Sequence, residues 1–287
     1  YRGYTLHEIP PSGQGIAALI ALGILEKFDL ASLPVDSTAS QHLQIEAMKL
    51  AFADVYRYVS ERSTMEVTTE QMLDDAYLAS RARLIDMRRA QDFQAGNPVK
   101  GGTIYLTAAD ENGMMVSFIQ SNYMGFGSGC VEPNYGISLQ NRGYGFSLDA
   151  ASPNVVAPGK RPFHTIIPAF LTKDGQPVMS SGVMGGNMQP QGHMQTLVRM
   201  LDYRQGLQAA CDAPRWRFNK GLNINVEAAM NAATVQGLKD LGHEIDVIND
   251  SYQDFGAGQF IWRAGNPAVE GYVAASDPRR DGLAAGY

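Results

Sequence analysis

The apolar residues change their period near residue 100, and any fold for this chain has to accommodate both halves. Before the switch the spacing is helical. Ile16, Leu19, Ile20, Leu22 and Leu25 predict a helix after a turn at residues 10 to 13. Leu43, Ala47, Leu50, Ala51 and Val55 share one face of a longer helix over residues 40 to 58. Thr68 followed by Gln71 has capping-box spacing and predicts a third helix reaching residue 87. Residues 90 to 100 are polar, contain Gly96 and Pro98, and read as an exposed loop.

At Thr103 alternation takes over. Residues 103 to 109 and 114 to 121 are strand-like and flank Asp110-Glu-Asn-Gly113, an Asn-Gly hairpin signal. A second hairpin is predicted over residues 166 to 172 and 177 to 182, turning through Lys173-Asp-Gly175. Helices are expected over residues 191 to 203, after Pro190, and 227 to 241. Short strands are expected over 245 to 248, 259 to 262 and 272 to 275. Hairpins inside and helices outside predict an α+β chain of stacked antiparallel sheets. No period of about 20 to 50 residues repeats, which excludes a solenoid.

Composition removes several function classes. Lys and Arg number 23 against 29 Asp and Glu, a formal charge of −6 with no basic run. A nucleic-acid partner needs a phosphate-neutralising stripe, and none is present. The longest apolar run, Ile16–Leu25, falls short of the roughly 20 residues that span a bilayer. Tyr1 opens the chain without a leader pattern, so the sequence reads as a processed or partial piece. Cytoplasm and periplasm both stay open as its compartment. Cys130 and Cys211 have no CxxC partner and read as plain thiols. The histidines at 7, 42, 164, 193 and 243 show no HExxH-type spacing, so neither a metal nor a cofactor is expected. Gly125-Phe-Gly-Ser-Gly129 opens no helix and is a poor phosphate loop.

Two positions carry candidate chemistry. Thr103 follows Gly101 and Gly102 after a polar loop and begins a strand. A threonine hydroxyl is a weak nucleophile without a base, but cleavage before it would free its own α-amine for that task. An ordinary β-branched strand residue fits the same position. Gly185-Gly186 lies between a strand and a helix, where paired glycines let backbone amides approach a substrate oxyanion. A tight strand-to-helix connection fits it equally. No GxSxG nucleophile elbow occurs.

A series of segments, in order, resembles the gamma-glutamyltransferase family. Pro10-Pro-Ser-Gly-Gln-Gly15 is similar to the later part of its large subunit. Residues 103 to 110, Asn112-Gly113 and residues 121 to 129 resemble the start of its small subunit. Residues 136 to 141, Pro158-Gly-Lys-Arg-Pro162, Gly185-Gly186, Asp212-Ala-Pro-Arg215, and a tail from Ala275-Ser-Asp-Pro-Arg279 to Gly286-Tyr287 continue the match.

The resemblance implies an N-terminal-nucleophile (Ntn) hydrolase, an αββα sandwich of two stacked antiparallel sheets between helical layers. Residues 1–102 would end the large subunit and 103–287 would form the small one, together in a single domain. The precursor would cut itself between Gly102 and Thr103, and Thr103 would form an acyl ester. Gly185 and Gly186 would supply oxyanion amides, with Thr107 and Ser121 as nearby hydroxyls. Tyr123, Asn141, Arg142, His164 and Thr165 fall at substrate-binding positions. The family's α-amino-binding carboxylate and amide positions fall at Gly145, Arg142 and Tyr123, and its paired serines at His164 and Thr165.

The implied activity is transfer or hydrolysis of gamma-glutamyl compounds such as glutathione. The altered pocket keeps two alternatives, a glutaryl- or cephalosporin-acylase-like amidase and a catalytically silent relative. The implied partners are a small acyl-amide substrate and the first part of the large subunit, which the chain lacks. A homo-oligomer is also allowed.

Overall fold

Helix α1 (Ile16–Leu25), preceded by strand β1 (Thr5–His7), is apolar almost all round and correspondingly buried almost all round. It packs against α2 (Thr38–Tyr58), which starts where the Ser37 hydroxyl accepts from Ser40 N at 3.3 Å. In the computed structural model, residues 1–93 and 102–287 are described, Gly102 and Gln253 by backbone alone. The expected loop over residues 90 to 100 therefore lies mostly outside the described residues.

The third helix is broken in two. Thr68 and Gln71 do form the capping box, but α3 (Thr69–Met72) stops there. Asp74 then accepts from Tyr77 N at 3.0 Å and starts α4 (Asp75–Ala82). A second cap six residues after the first gives the chain a new start instead of a continuous helix.

The switch at Thr103 is real. Strands β2 (Gly102–Ala109) and β3 (Met115–Tyr123) form the expected hairpin. A small hairpin of β4 (Val131–Glu132) and β5 (Ile137–Ser138) follows. Strands β6 (Ala169–Lys173) and β7 (Gln176–Met184) form the second predicted hairpin. Next comes α5 (Met188–Leu201), which takes Pro190 into its first turn, where no backbone N–H is needed, and so starts earlier than expected. After α6 (Leu207–Asp212), the strands β8 (Trp216–Lys220) and β9 (Asn223–Glu227) make a hairpin that the sequence reading missed. Asn231 caps α7 (Ala232–Asp240), a shorter helix than expected. Then come β10 (Glu244–Ile248), the short helix α8 (Ser251–Asp254), β11 (Ala257–Arg263) and β12 (Tyr272–Ser276).

One sheet runs in the order β1-β6-β7-β11-β12, and β8, β9 and β10 form another, in which β9 and β10 are parallel. The β2–β3 hairpin stacks on β7 through small residues. Thr107 Oγ1 donates to Ser180 Oγ at 2.7 Å, and Ser117 Oγ donates to the Ser181 carbonyl at 3.3 Å. A Cβ on Gly182 would meet the Tyr105 ring at 2.3 Å, so glycine sets the spacing between the layers. A Cβ on Gly192 of α5 would likewise meet Val183 of β7, at 2.7 Å. The apolar core draws on α1 and α2 before the switch and on β6, β7, α5, β8 and β9 after it. The outer face of the β2–β3 hairpin, with Ile104, Leu106, Val116 and Phe118, is exposed.

Two sequence motifs meet as a charged clamp. Arg215 pairs with Asp277 at 2.8 Å, and Arg279 pairs with Asp277 at 3.0 Å and Glu227 at 2.5 Å, all buried. Residues 212 to 215 and 275 to 279 thus lock the start of β8 to the end of β12.

Candidate active site

Thr103 is the second residue of β2, and the ladder to β3 shifts register between Gly102 and Ile104. An irregularity of this kind re-aims a side chain where regular pairing would fix it. The buried Thr103 lines a cavity of about 820 Å³ together with Gln120, Ser121, Asn122, Gly185, Tyr252, Gln259 and Arg280.

Gly185 and Gly186 stand where β7 hands over to α5, with φ of +126° and +61°. A side chain is disfavoured at both. A Cβ on Gly185 would also meet the Gly256 backbone at 3.0 Å. Both carbonyls are committed, Gly185 O to Met188 N at 3.1 Å and Gly186 O to Gln189 N at 3.2 Å. In a trans peptide the Gly186 N–H points opposite the Gly185 carbonyl, and so away from α5. Gln14 braces the turn, since its Nε2 donates to Gly186 O and Thr165 O, both at 2.8 Å.

The other expected residues separate into two groups. Ser121 reaches the Thr103 cavity, and its Oγ accepts from Tyr123 N at 2.8 Å. Behind it, Arg142 donates to the Ser121 carbonyl at 3.2 Å and lies over the Tyr123 ring, 5.5 Å from the centroid. Asn141 Oδ1 accepts from Met124 N at 3.1 Å and holds the adjoining turn. His164 sits close by, its pKa pushed down to about 4 by burial and by the nearby Arg142 and Arg161. Thr165 is buried behind it. Thr107 is not brought to this cavity. It shares the inner face of β2 but lines a smaller cavity of about 310 Å³ with Phe260 and Ala275.

The fold gives the histidines partners that spacing along the chain does not show. His193 is paired, with Nδ1 2.7 Å from Glu8 and Nε2 accepting from Val183 N at 3.0 Å. His42, Glu46 and His243 converge with ligand atoms within 4.8 Å of one another. Residue 243 is too far along the chain for a spacing rule to find. Hydrogen bonding accounts for this group without an ion. The Lys49 ammonium donates to Glu46 at 2.8 Å and approaches His243 Nδ1 at 3.3 Å, leaving the His243 proton on Nε2, which faces His42 Nδ1 at 2.8 Å. His42 Nε2 then donates to the Asp86 carbonyl at 3.0 Å. A nitrogen that carries a proton is not a metal ligand, so this donor set does not fit a metal while Lys49 is charged.

Sequence reasoning also missed Gln14, Tyr252, Gln259 and Arg280. Gln14 and the residues before Arg280 stood inside noticed motifs. Tyr252 and Gln259 reach the cavity only through folding and leave no sequence signal.

The profile of the family described as Gamma-glutamyltranspeptidase matches residues 1–287. The chain belongs to this family. It is 36% identical to a glutathione hydrolase-like proenzyme, YwrD, of Bacillus subtilis, over 100% of the chain and 54% of that protein. It is 35% identical to an oxamate amidohydrolase proenzyme of Klebsiella pneumoniae, over 99% of the chain and 53% of that protein. The crystal structure of a cephalosporin acylase from Bacillus halodurans superposes with a TM-score of 0.92 at 48% identity, covering 100% of this chain and 52% of that one. The chain thus spans about half the length of these relatives. With this the α+β, Ntn-hydrolase fold is established, and within the gamma-glutamyltranspeptidase family the relatives named here carry more than one specificity.

Proposed function

We propose that this chain is the catalytic part of a self-cleaving amidohydrolase of acylase type, with Thr103 as nucleophile. The observation that carries the reading is the placement of Thr103, at a strand irregularity, in the cavity that the Gly185 turn also lines. Cleavage of the Gly102–Thr103 bond frees an α-amine beside the hydroxyl. The amine takes the proton as Thr103 Oγ attacks the substrate carbonyl carbon. The Gly185 and Gly186 amides hold the oxyanion. The C–N bond then breaks, the amine half leaves with that proton, and an acyl-threonine ester remains. Water attacks the ester, releasing a carboxylic acid and restoring the hydroxyl.

The acyl half faces the Ser121, Tyr123, Asn141, Arg142 and His164 cluster. Its cation, Arg142, has no carboxylate partner among the described residues, and burial lowers its pKa. Such a site repels an α-ammonium group. Gly145 offers no counter-charge, which disfavours gamma-glutamyl compounds such as glutathione and favours neutral or anionic acyl groups of the glutaryl kind.

The outer face of the β2–β3 hairpin receives the part of the polypeptide that the relatives have and this chain does not. Its four exposed apolar residues are the support for that reading. Intact mass of the full-length gene product tests the nucleophile. A new piece beginning at Thr103, absent in Thr103→Ala, is expected. Persistence of cleavage in Thr103→Ala would sink the proposal. Glutaryl anilide should be turned over faster than gamma-glutamyl anilide.

A further inference from the structure

The buried clamp has a neighbour that faces the cavity. Arg279 is held by Glu227, Asp277 and the carbonyls of Cys211 and Ala213, which fixes the backbone of the next residue. Arg280 N donates to the Asp277 carbonyl at 3.3 Å. The Arg280 guanidinium lies over the Tyr252 ring, 3.4 Å from its centroid. Tyr252 is itself anchored. Its backbone N–H is capped by Asp250 Oδ1 at 3.0 Å, and Asp254 of the same short helix pairs with Arg217 at 3.2 Å.

The guanidinium therefore sits over the face of a ring whose backbone is held in place. Stacking uses the faces of the guanidinium and leaves its rim of N–H donors for other partners. Among the described residues the rim makes one bond, Nη1 to the Arg279 carbonyl at 2.9 Å, and no carboxylate pairs with it. Asp277 and Asp250 act on it only at a distance.

Both Tyr252 and Arg280 line the cavity that contains Thr103. From Thr103, Ser121 and Asn122 lead toward the Tyr123–Arg142 cluster. Met184, Gly185, Ala257 and Gln259 belong to the β7 and β11 side, together with Tyr252 and Arg280. An amide held at its carbonyl sends its acyl and amine halves in opposite directions.

We infer that Tyr252 and Arg280 form the subsite for the amine half of the substrate, and that it takes an amine bearing a carboxylate. The inference rests on Thr103 being the nucleophile and on the Arg142 cluster receiving the acyl half. A guanidinium fork matches a carboxylate with two parallel hydrogen bonds, which a neutral amine cannot use. Asp281 lines the same cavity and opposes this charge. Its removal therefore strengthens the preference, the opposite sign from removal of Arg280.

The test uses the matured full-length enzyme with glutaryl and acetyl amides of aniline and of 3-aminobenzoate. The aminobenzoates should be favoured in kcat/KM by about tenfold, the scale of one charge-assisted pair in a half-open site. The ratio should fall to near one in Arg280→Met, stay partly above one in Arg280→Lys, and rise in Asp281→Asn. Thermal melts of each variant report whether it is folded. A ratio near one in the wild type, or an unchanged ratio in folded Arg280→Met, overturns the inference while leaving the nucleophile intact. If none of the four amides is turned over by the matured enzyme, the acyl-side reading of the Arg142 cluster fails and takes the inference with it, while the cleavage before Thr103 still stands.

Discussion

Gly145, where the family resemblance places an α-amino-binding carboxylate, is closed to a side chain by one backbone contact. A Cβ there would lie 2.3 Å from the Phe163 carbonyl oxygen, which is backbone and cannot swing aside. Gly145→Asp is therefore expected to cost stability, on the order of 1 to 3 kcal/mol from overpacking. It should also fail to create a gamma-glutamyl preference. Denaturant unfolding and paired anilide assays check both, and a stable variant with new gamma-glutamyl activity would contradict them. On the proposed cleavage, Thr103→Ser keeps a hydroxyl and an α-amine and should retain part of the turnover that Thr103→Ala should abolish, measured on anilides. Cys211, by contrast, is chemically quiet, since burial and then the Asp277 charge push its thiol up to about 12.

Between elements, the buried charges decide stability. Asp277 is shared by Arg215 and Arg279, so Asp277→Ala leaves two buried guanidinium groups under-compensated. Loss of one partner from such a group costs about 3 to 5 kcal/mol. A fall in thermal midpoint should accompany loss of order around β12, read by hydrogen exchange.

The Lys49–His243–His42 chain between α2 and the turn after α7 sets an acid limit. Burial, then Lys49 and His42, lower the His243 pKa to about 2 from its ordinary 6.5. The unfolded chain takes up this proton below about 6.5 and the folded one does not, so stability is full above that pH and falls as pH drops below it. His164 adds the same sign between about 6.5 and its folded value of about 4. Glu46 works the other way near its ordinary 4.5, because burial raises its pKa. A variant comparison separates the contributions. His243→Gln preserves one donor and one acceptor and should lessen the drop in thermal midpoint from pH 7.5 to 5.5. An unchanged drop would assign the acid sensitivity elsewhere.

At the scale of the whole molecule, the β2–β3 hairpin buries one face on β7 and shows the other to solvent. Ile104 is 64% exposed and Phe118 47%, which is more apolar surface than a finished sheet leaves open. The 287-residue chain alone should self-associate with rising concentration, and Phe118→Thr should reduce this in light scattering. In the full-length protein the same substitution should be destabilising, because the face is then covered. The same sign in both contexts would show that nothing covers this face.

The local period and the punctuation residues were enough to place α1, α2 and both main hairpins. The capping residues of α3 were also readable, because a helix start is a matter of a few adjacent groups. What failed locally failed for local reasons: a second cap at Asp74, and a proline accommodated in the first turn of α5. The β8–β9 hairpin escaped because its Lys-Gly-Leu turn gives a weak signal. At the site, the settings of Thr103 and Gly185-Gly186 also fitted a plain strand residue and a tight turn, and it was the ordered series of family-like segments that singled them out. The meeting of Thr103 with Tyr252 and Arg280, the clamp at Asp277 and the convergence of His42 on His243 were decided only by tertiary structure. Thr103 and His42 meet partners about 150 to 200 positions away, and the clamp joins residues about 50 to 60 positions apart at the ends of strands in different sheets. Local backbone preference is set by neighbours in the chain. Which buried charges meet depends on the packing of whole layers, and that is a property of the folded chain alone.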